Sequence, residues 1–125
     1  MNINEVLALA DQMKPNMMTR QVKIAFLQEL DQKIYHELLL THAHDADEET
    51  EPEYDVDTDE GTELLLPDRF GMVYAYWIMT KIDQLNQEEE KENNDRMRFE
   101  NEYEYMSDWW TRTHRPLPAR PFFRI

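Results

Sequence analysis

The sequence predicts an all-α protein: a small helical bundle with an acidic loop and an extended, proline-rich C-terminal arm. Three observations carry this. Apolar residues recur at steps of three and four along most of the 125-residue chain. Glycine occurs only at Gly61 and Gly71, too seldom for tight β-hairpins or a glycine-rich phosphate cradle. Three of the six prolines, Pro116, Pro118 and Pro121, crowd the last ten residues, where they forbid a helix and favour an extended course. The length suits one domain, and a hydrophobic content of 41% that includes three Trp, six Tyr, five Phe and eight Met can fill one core.

The elements follow in order. Asn2 or Asn4 can cap a short helix carrying Ile3, Val6, Leu7 and Ala10, which Pro15 ends. Thr19 can cap a second helix over 19–41, with Val22, Phe26, Leu27, Leu30, Ile34 and Leu38 on one face and Lys23, Gln28, Asp31, Gln32 and Lys33 between them. Residues 43–63 hold eleven acids and no Lys or Arg, and read as an exposed, mobile acidic loop; Tyr54 and Val56 alternate with acids, which allows a short edge strand. Leu64, Leu65 and Leu66 return to the core, and Pro67 opens a third helix over 68–86. That helix is apolar nearly all round, through Met72, Val73, Tyr74, Ala75, Tyr76, Trp77, Ile78, Met79, Ile82 and Leu85, so it must be covered on several sides, by its own domain or by a neighbouring subunit. Asn86 and Gln87 make a turn, and the last helix spans 88–112 with the stripe Met97, Phe99, Tyr103, Met106, Trp109 and Trp110. The bundle is thus expected over residues 1–114 and the arm over 115–125.

The net charge is −14. The tail from Arg112 onward holds Arg112, Arg115, Arg120 and Arg124 and no acid, leaving −18 on the remaining 111 residues. A body this negative does not bind nucleic acid by neutralising phosphates. A basic arm on an acidic body suits docking on another negative surface. The absence of cysteine removes disulfides, thiolate zinc sites and cysteine nucleophiles, and fits an intracellular chain. No apolar run has the length of a spanning helix, and the acidic start lacks the pattern of a signal peptide, so no membrane association is expected.

Chemistry-bearing motifs are weak. His42-Ala43-His44-Asp45-Ala46-Asp47 partly matches the H-x-H-x-D-H run of metallo-β-lactamase-like hydrolases, but the acid falls one place late and the final His is missing; a solvated helix end is the expectation. Asp55-x-Asp57-x-Asp59 begins like an EF-hand loop, yet Glu60 stands where glycine is needed and Leu66 where the bidentate Glu belongs. The only serine, Ser107, has no nearby His in sequence, and the carboxylates lie on exposed faces. No active site, metal or cofactor is therefore assigned. Tyr74, Trp77, Tyr103, Trp109 and Trp110 are expected in the core and at an interface between subunits. The arm's Pro116, Pro118, Pro121, Phe122, Phe123 and Ile125, with Arg112, His114, Arg115, Arg120 and Arg124, are the expected partner-binding residues: the prolines lower the ordering cost, the aromatics anchor and the arginines direct.

Leu64-Leu65-Leu66-Pro67, Tyr74-x-Tyr76-Trp77, Ile82-Asp83-x-x-Asn86, Asn93-Asn94, Phe99, Tyr103 and the run Trp109-Trp110-Thr111-Arg112-Thr113-His114-Arg115-Pro116 together resemble the head–tail connector, or adaptor, proteins of tailed bacteriophages. The resemblance covers roughly residues 63–116; residues 1–62 and the tail beyond Pro116 match nothing in it. It implies a small helical bundle that assembles as a ring, typically of twelve copies, beneath the portal. There it extends the DNA channel without binding DNA specifically and offers a surface to the next neck or tail protein, with the C-terminal arm docked on the portal. The implied location is the virion neck, and the host cytoplasm before assembly. A head-closure or tail-terminator role falls in the same class. The competing reading is an acidic DNA-mimic inhibitor; such a protein has no use for a proline–phenylalanine arm.

Overall fold

The computed structural model describes residues 1–117. Of the expected arm, Pro118, Arg120, Pro121, Phe122, Phe123, Arg124 and Ile125 lie outside the described residues.

Four α-helices form the molecule: α1 (Ile3–Met13), α2 (Arg20–Ile34), α3 (Gly71–Leu85) and α4 (Glu89–Thr113). Asn2 caps α1 by accepting from the Glu5 backbone N–H, while the Glu5 side chain accepts from the Asn2 N–H, a reciprocal box that satisfies two otherwise orphan donors. Thr19 caps α2 through the Val22 N–H. The helical course beyond Ile34 continues as one π-helical turn, Tyr35–Leu39, so the expected helix over 19–41 exists but changes its winding near its end. A 3₁₀ turn, Asp68–Phe70, leads from Pro67 into α3.

At the far end of α3 the chain reverses through Gln87, the one non-glycine residue with positive φ (57°) among the described residues. The Glu88 N–H reaches the Asp83 carbonyl and the Gln87 N–H the Gln84 carbonyl, the paired bonds of a Schellman ending. The turn expected at Asn86–Gln87 is therefore present, with glutamine in a conformation glycine usually takes.

Helix α3 is the centre. It packs most extensively on α4 and then on α1 and α2. Val73, Tyr74, Ala75, Ile78 and Ile82 are completely buried on it, and Ile3, Val6, Leu27, Leu30, Ile34, Leu66, Phe70 and Met106 close around them. The nearly all-round apolar character of α3 is thus met largely within the chain.

Among the described residues there is no strand, only two isolated antiparallel bridges, Asn2 with Glu63 and His42 with Pro116. The edge strand allowed at Tyr54–Val56 does not form, because Tyr54 turns its bonds toward α2. Its N–H donates to Gln28 Oε1 (2.8 Å) and its hydroxyl to Asp31 Oδ2 (2.6 Å). Gln32 Nε2 donates to the Pro52 carbonyl, and His36 pairs with Glu51 at 3.0 Å, so the middle of the acidic segment is held against α2. Two backbone bonds hold the root of the expected arm. The Ala43 N–H donates to the Arg115 carbonyl (2.7 Å) and the Leu117 N–H to the Thr41 carbonyl (2.8 Å), which fastens Arg115–Leu117 to the bundle. Among the described residues, no helix is long and apolar enough to cross a membrane.

Candidate functional site

Two hollows on α4 gather five of the residues singled out by the sequence: Trp77, Tyr103, Trp109, Trp110 and His114. The first lies at the C-terminal end of α4, between Leu64–Arg69 and Trp109, Trp110 and His114, with a volume of about 710 Å³. Trp110 stacks on His114 with ring centres 4.5 Å apart and planes 15° from parallel. Trp109 tilts against Phe70 at 5.2 Å, and the Arg69 guanidinium lies 4.5 Å over the Trp109 ring. The Met1 ammonium, paired with Glu63 and Asp68, closes the rim; burial lowers its pKa, but hydrogen bonds to the two carboxylates outweigh that and leave it raised. Trp110 Nε1 is buried without a hydrogen-bond partner, an unmet donor at the hollow's edge.

The second hollow, of about 550 Å³, is a groove between α2, α3 and α4. Trp77, Phe99 and Tyr103 floor it, with centroid spacings of 5.0 Å and 5.6 Å. The Trp77 indole N–H is fixed by the Phe26 carbonyl (2.9 Å), and the Tyr103 hydroxyl donates to Glu37 (2.8 Å). Burial first, then the Glu37 carboxylate, push the Tyr103 pKa up. Lys81 lies over Trp77 at 4.5 Å and Lys33 over Tyr103 at 5.3 Å; Arg96, Glu100 and Glu104 complete the walls.

The expected interface residues therefore divide. Trp77, Tyr103 and Trp109 are half-buried and line these hollows. Tyr74 has no exposed surface and Trp110 only 7%, so the structure places both in the chain's own core, correcting the expectation that they face a neighbouring subunit. The reason for Tyr74 is polar: its hydroxyl donates to Asp31 Oδ1 (2.6 Å) and accepts from the Leu66 N–H (3.0 Å). Of the expected partner-binding residues, Arg112, Arg115 and Pro116 are exposed and His114 is partly covered by the Trp110 stack.

The sequence reading missed two polar centres. Asp31 is fully buried and accepts from Tyr54, Tyr74 and the Leu65 N–H; burial pushes its pKa up, and the three donors pull it back only in part. Lys23, also placed on the polar face, is buried with its ammonium on Asp11 (2.8 Å). The second centre joins Lys14 beyond α1, Asp83 on α3 and Asp95 on α4. Lys14 is bonded to Asp83 and lies 3.7 Å from Asp95 and 3.9 Å from Glu88. Burial lowers the Lys14 pKa, but the three carboxylates outweigh it and leave it raised. Asp95 is pushed up to about 6, first by burial and then by its hydrogen bond to Asp83. Asp83 Oδ2 is buried without a hydrogen-bond partner.

The histidine pair is not the solvated helix end expected. His42 is buried with Nδ1 on the Leu38 carbonyl (2.8 Å). His44 bonds the His42 carbonyl through Nδ1 and Glu49 through Nε2, both at 2.7 Å, and these contacts, in that order, raise its pKa. Among the described residues no group of three or more His, Asp or Glu is arranged to hold a metal ion. Comparison with protein-family models, curated proteins and solved structures finds no match to this chain.

Proposed function

We propose that this protein is a virion structural component of a tailed bacteriophage: a head–tail connector that forms a ring, typically of twelve copies, beneath the portal and joins the head to the tail. The observation that carries the reading is the meeting of Leu64–Pro67 with Trp109, Trp110 and His114 in one surface hollow. These are two of the stretches on which the resemblance rests, they are 45 residues apart in sequence, and they lie next to the root of the arm at Arg115–Leu117. In this reading Trp77, Tyr103 and Trp109 are available to neighbouring subunits. The acidic loop 43–63, or the acidic face of α4, lines the channel and repels the DNA that slides past. The arm attaches to the portal, with Phe122 and Phe123 as anchors and Arg120 and Arg124 setting register, and repetition around a ring makes even a weak contact strong in total.

The experiment removes residues 118–125, which leaves the bridge at Thr41–Ala43 intact, or changes Phe122 and Phe123 to Ala. Helicity is expected to stay the same, while packaged heads lack this protein and gain no tails. Normal tailed particles containing the shortened chain overturn the proposal.

A further inference from the structure

We propose that the acidic segment 44–51 is a pH-operated strap, closed on the bundle when His36 and His44 are charged and released when they are neutral. The segment carries five acids: Asp45, Asp47, Glu48, Glu49 and Glu51. Among the described residues none of the five pairs with a Lys or Arg, and the two groups that do meet them are imidazoles, His44 on Glu49 and His36 on Glu51. The counter-charges of this segment therefore come from the one side chain whose charge ordinarily changes between about pH 5 and 8. Without them, five carboxylates within seven residues repel one another with nothing to oppose it.

The geometry at His44 demands the charged form. Its Nδ1 meets the His42 carbonyl and its Nε2 meets Glu49 Oε1, both at 2.7 Å, and both partners are acceptors. A neutral imidazole has one N–H, so it serves one of the two and turns a lone pair on the other; the imidazolium serves both. The His42 end is fixed: its ring is buried on the Leu38 carbonyl, and the next residue, Ala43, donates to the Arg115 carbonyl. Glu49 is exposed and is the partner free to leave. His44 thus clips the short turn Ala46–Glu48 to an anchored base, and His36, on the π turn, clips Glu51 at 3.0 Å. The charged neighbours of the two rings are Glu48 and Glu49 around His44, Arg115 across the backbone bridge, and Glu37 beside His36, which is already engaged by the Tyr103 hydroxyl and Lys33. The His42 carbonyl first, then Glu49, hold the His44 pKa above the ordinary 6.5, so closure is complete below that value and is lost as pH rises through the higher folded one. The strap stands apart from the connector reading.

The test uses the full chain, which has no native cysteine, with a nitroxide label on the exposed Thr50→Cys. Electron paramagnetic resonance spectra are taken from about pH 5.5 to about pH 9, a range that spans histidine titration. The slow-motion component should fall by more than half across it, with a midpoint above 6.5 and helicity unchanged by circular dichroism. In the double variant His36→Gln/His44→Gln the label should be mobile at both ends of the range. At about pH 5.5, long-range ¹H–¹⁵N spectra of the unlabelled chain should show a proton on each His44 ring nitrogen. A line shape that ignores pH, a transition that survives the double variant, or a His44 with a single N–H at the low pH overturns the proposal. So does a transition that disappears in Asp95→Asn, which would assign it to the cluster at the other end of α4.

Discussion

Asp31 accepts from three donors that approach from 23, 34 and 43 residues away in sequence: Tyr54, Leu65 and Tyr74. Replacing it by Ala leaves two hydroxyls and an amide unmet in the interior, and is expected to lower stability by on the order of 3 kcal/mol in urea denaturation, against about 1 kcal/mol for Tyr54→Phe. Helical spacing correctly gave the buried Leu27, Leu30 and Ile34, but spacing alone assigned Asp31 to the polar face, because partners so remote leave no local trace. Asp83 was closer to legible: an acid inside the nearly all-apolar α3 had to be paired, and Lys14, beside the helix-ending Pro15, is its partner. The Asp95 cluster also fixes a pH dependence. Its folded pKa of about 6 lies above the ordinary carboxylate value, so the stabilising proton is fully present below about pH 4 and is lost as pH rises through 6. Lys14 and Arg98 lie within ion-pair distance of it, and Lys14 also meets Asp83 and Glu88. The stability this cluster contributes is expected to fall between pH 4 and 7, and Asp95→Asn, which keeps a donor for Asp83, should flatten that slope in denaturation curves taken across the range.

At the scale of elements, the ends of the helices were readable wherever a local rule sets them: Asn2 and Thr19 as caps, Pro67 before α3, Asn86–Gln87 as the reversal. Gln87 offers a direct check, since it holds φ 57° where glycine pays no steric cost. Gln87→Gly is expected to raise stability by about 0.5–1 kcal/mol, seen as a higher melting temperature; a fall would mean that the Schellman geometry is not what ends α3. The tethering of Pro52 and Tyr54 was not legible, because it depends on what α2 meets across the molecule rather than on neighbours in sequence. That tether makes the acidic segment uneven. Amide exchange in the free chain should be slowed at Tyr54, whose N–H is bonded to Gln28, and fast at Glu53 and Val56.

For the whole molecule, the expected neighbours of α3 turned out to be mostly α1, α2 and α4, which removes one motive for a ring and leaves others: half-buried Trp77, Tyr103 and Trp109 beside surface hollows, an excess of negative charge, and a basic arm rooted next to them. The all-α bundle was legible because period and glycine scarcity act through the whole chain, whereas assembly depends on surfaces that only a partner completes. The measurement that tests the connector account most directly is the mass of the particle this chain joins, by light scattering with and without the portal ring of the same virus, together with negative-stain images of virions. The account predicts a ring of many copies on the portal, about 180 kDa of added mass for twelve chains of 15.2 kDa, and density for it at the neck. A chain that stays a monomer or dimer in the presence of portal, and is missing from virions, would contradict it.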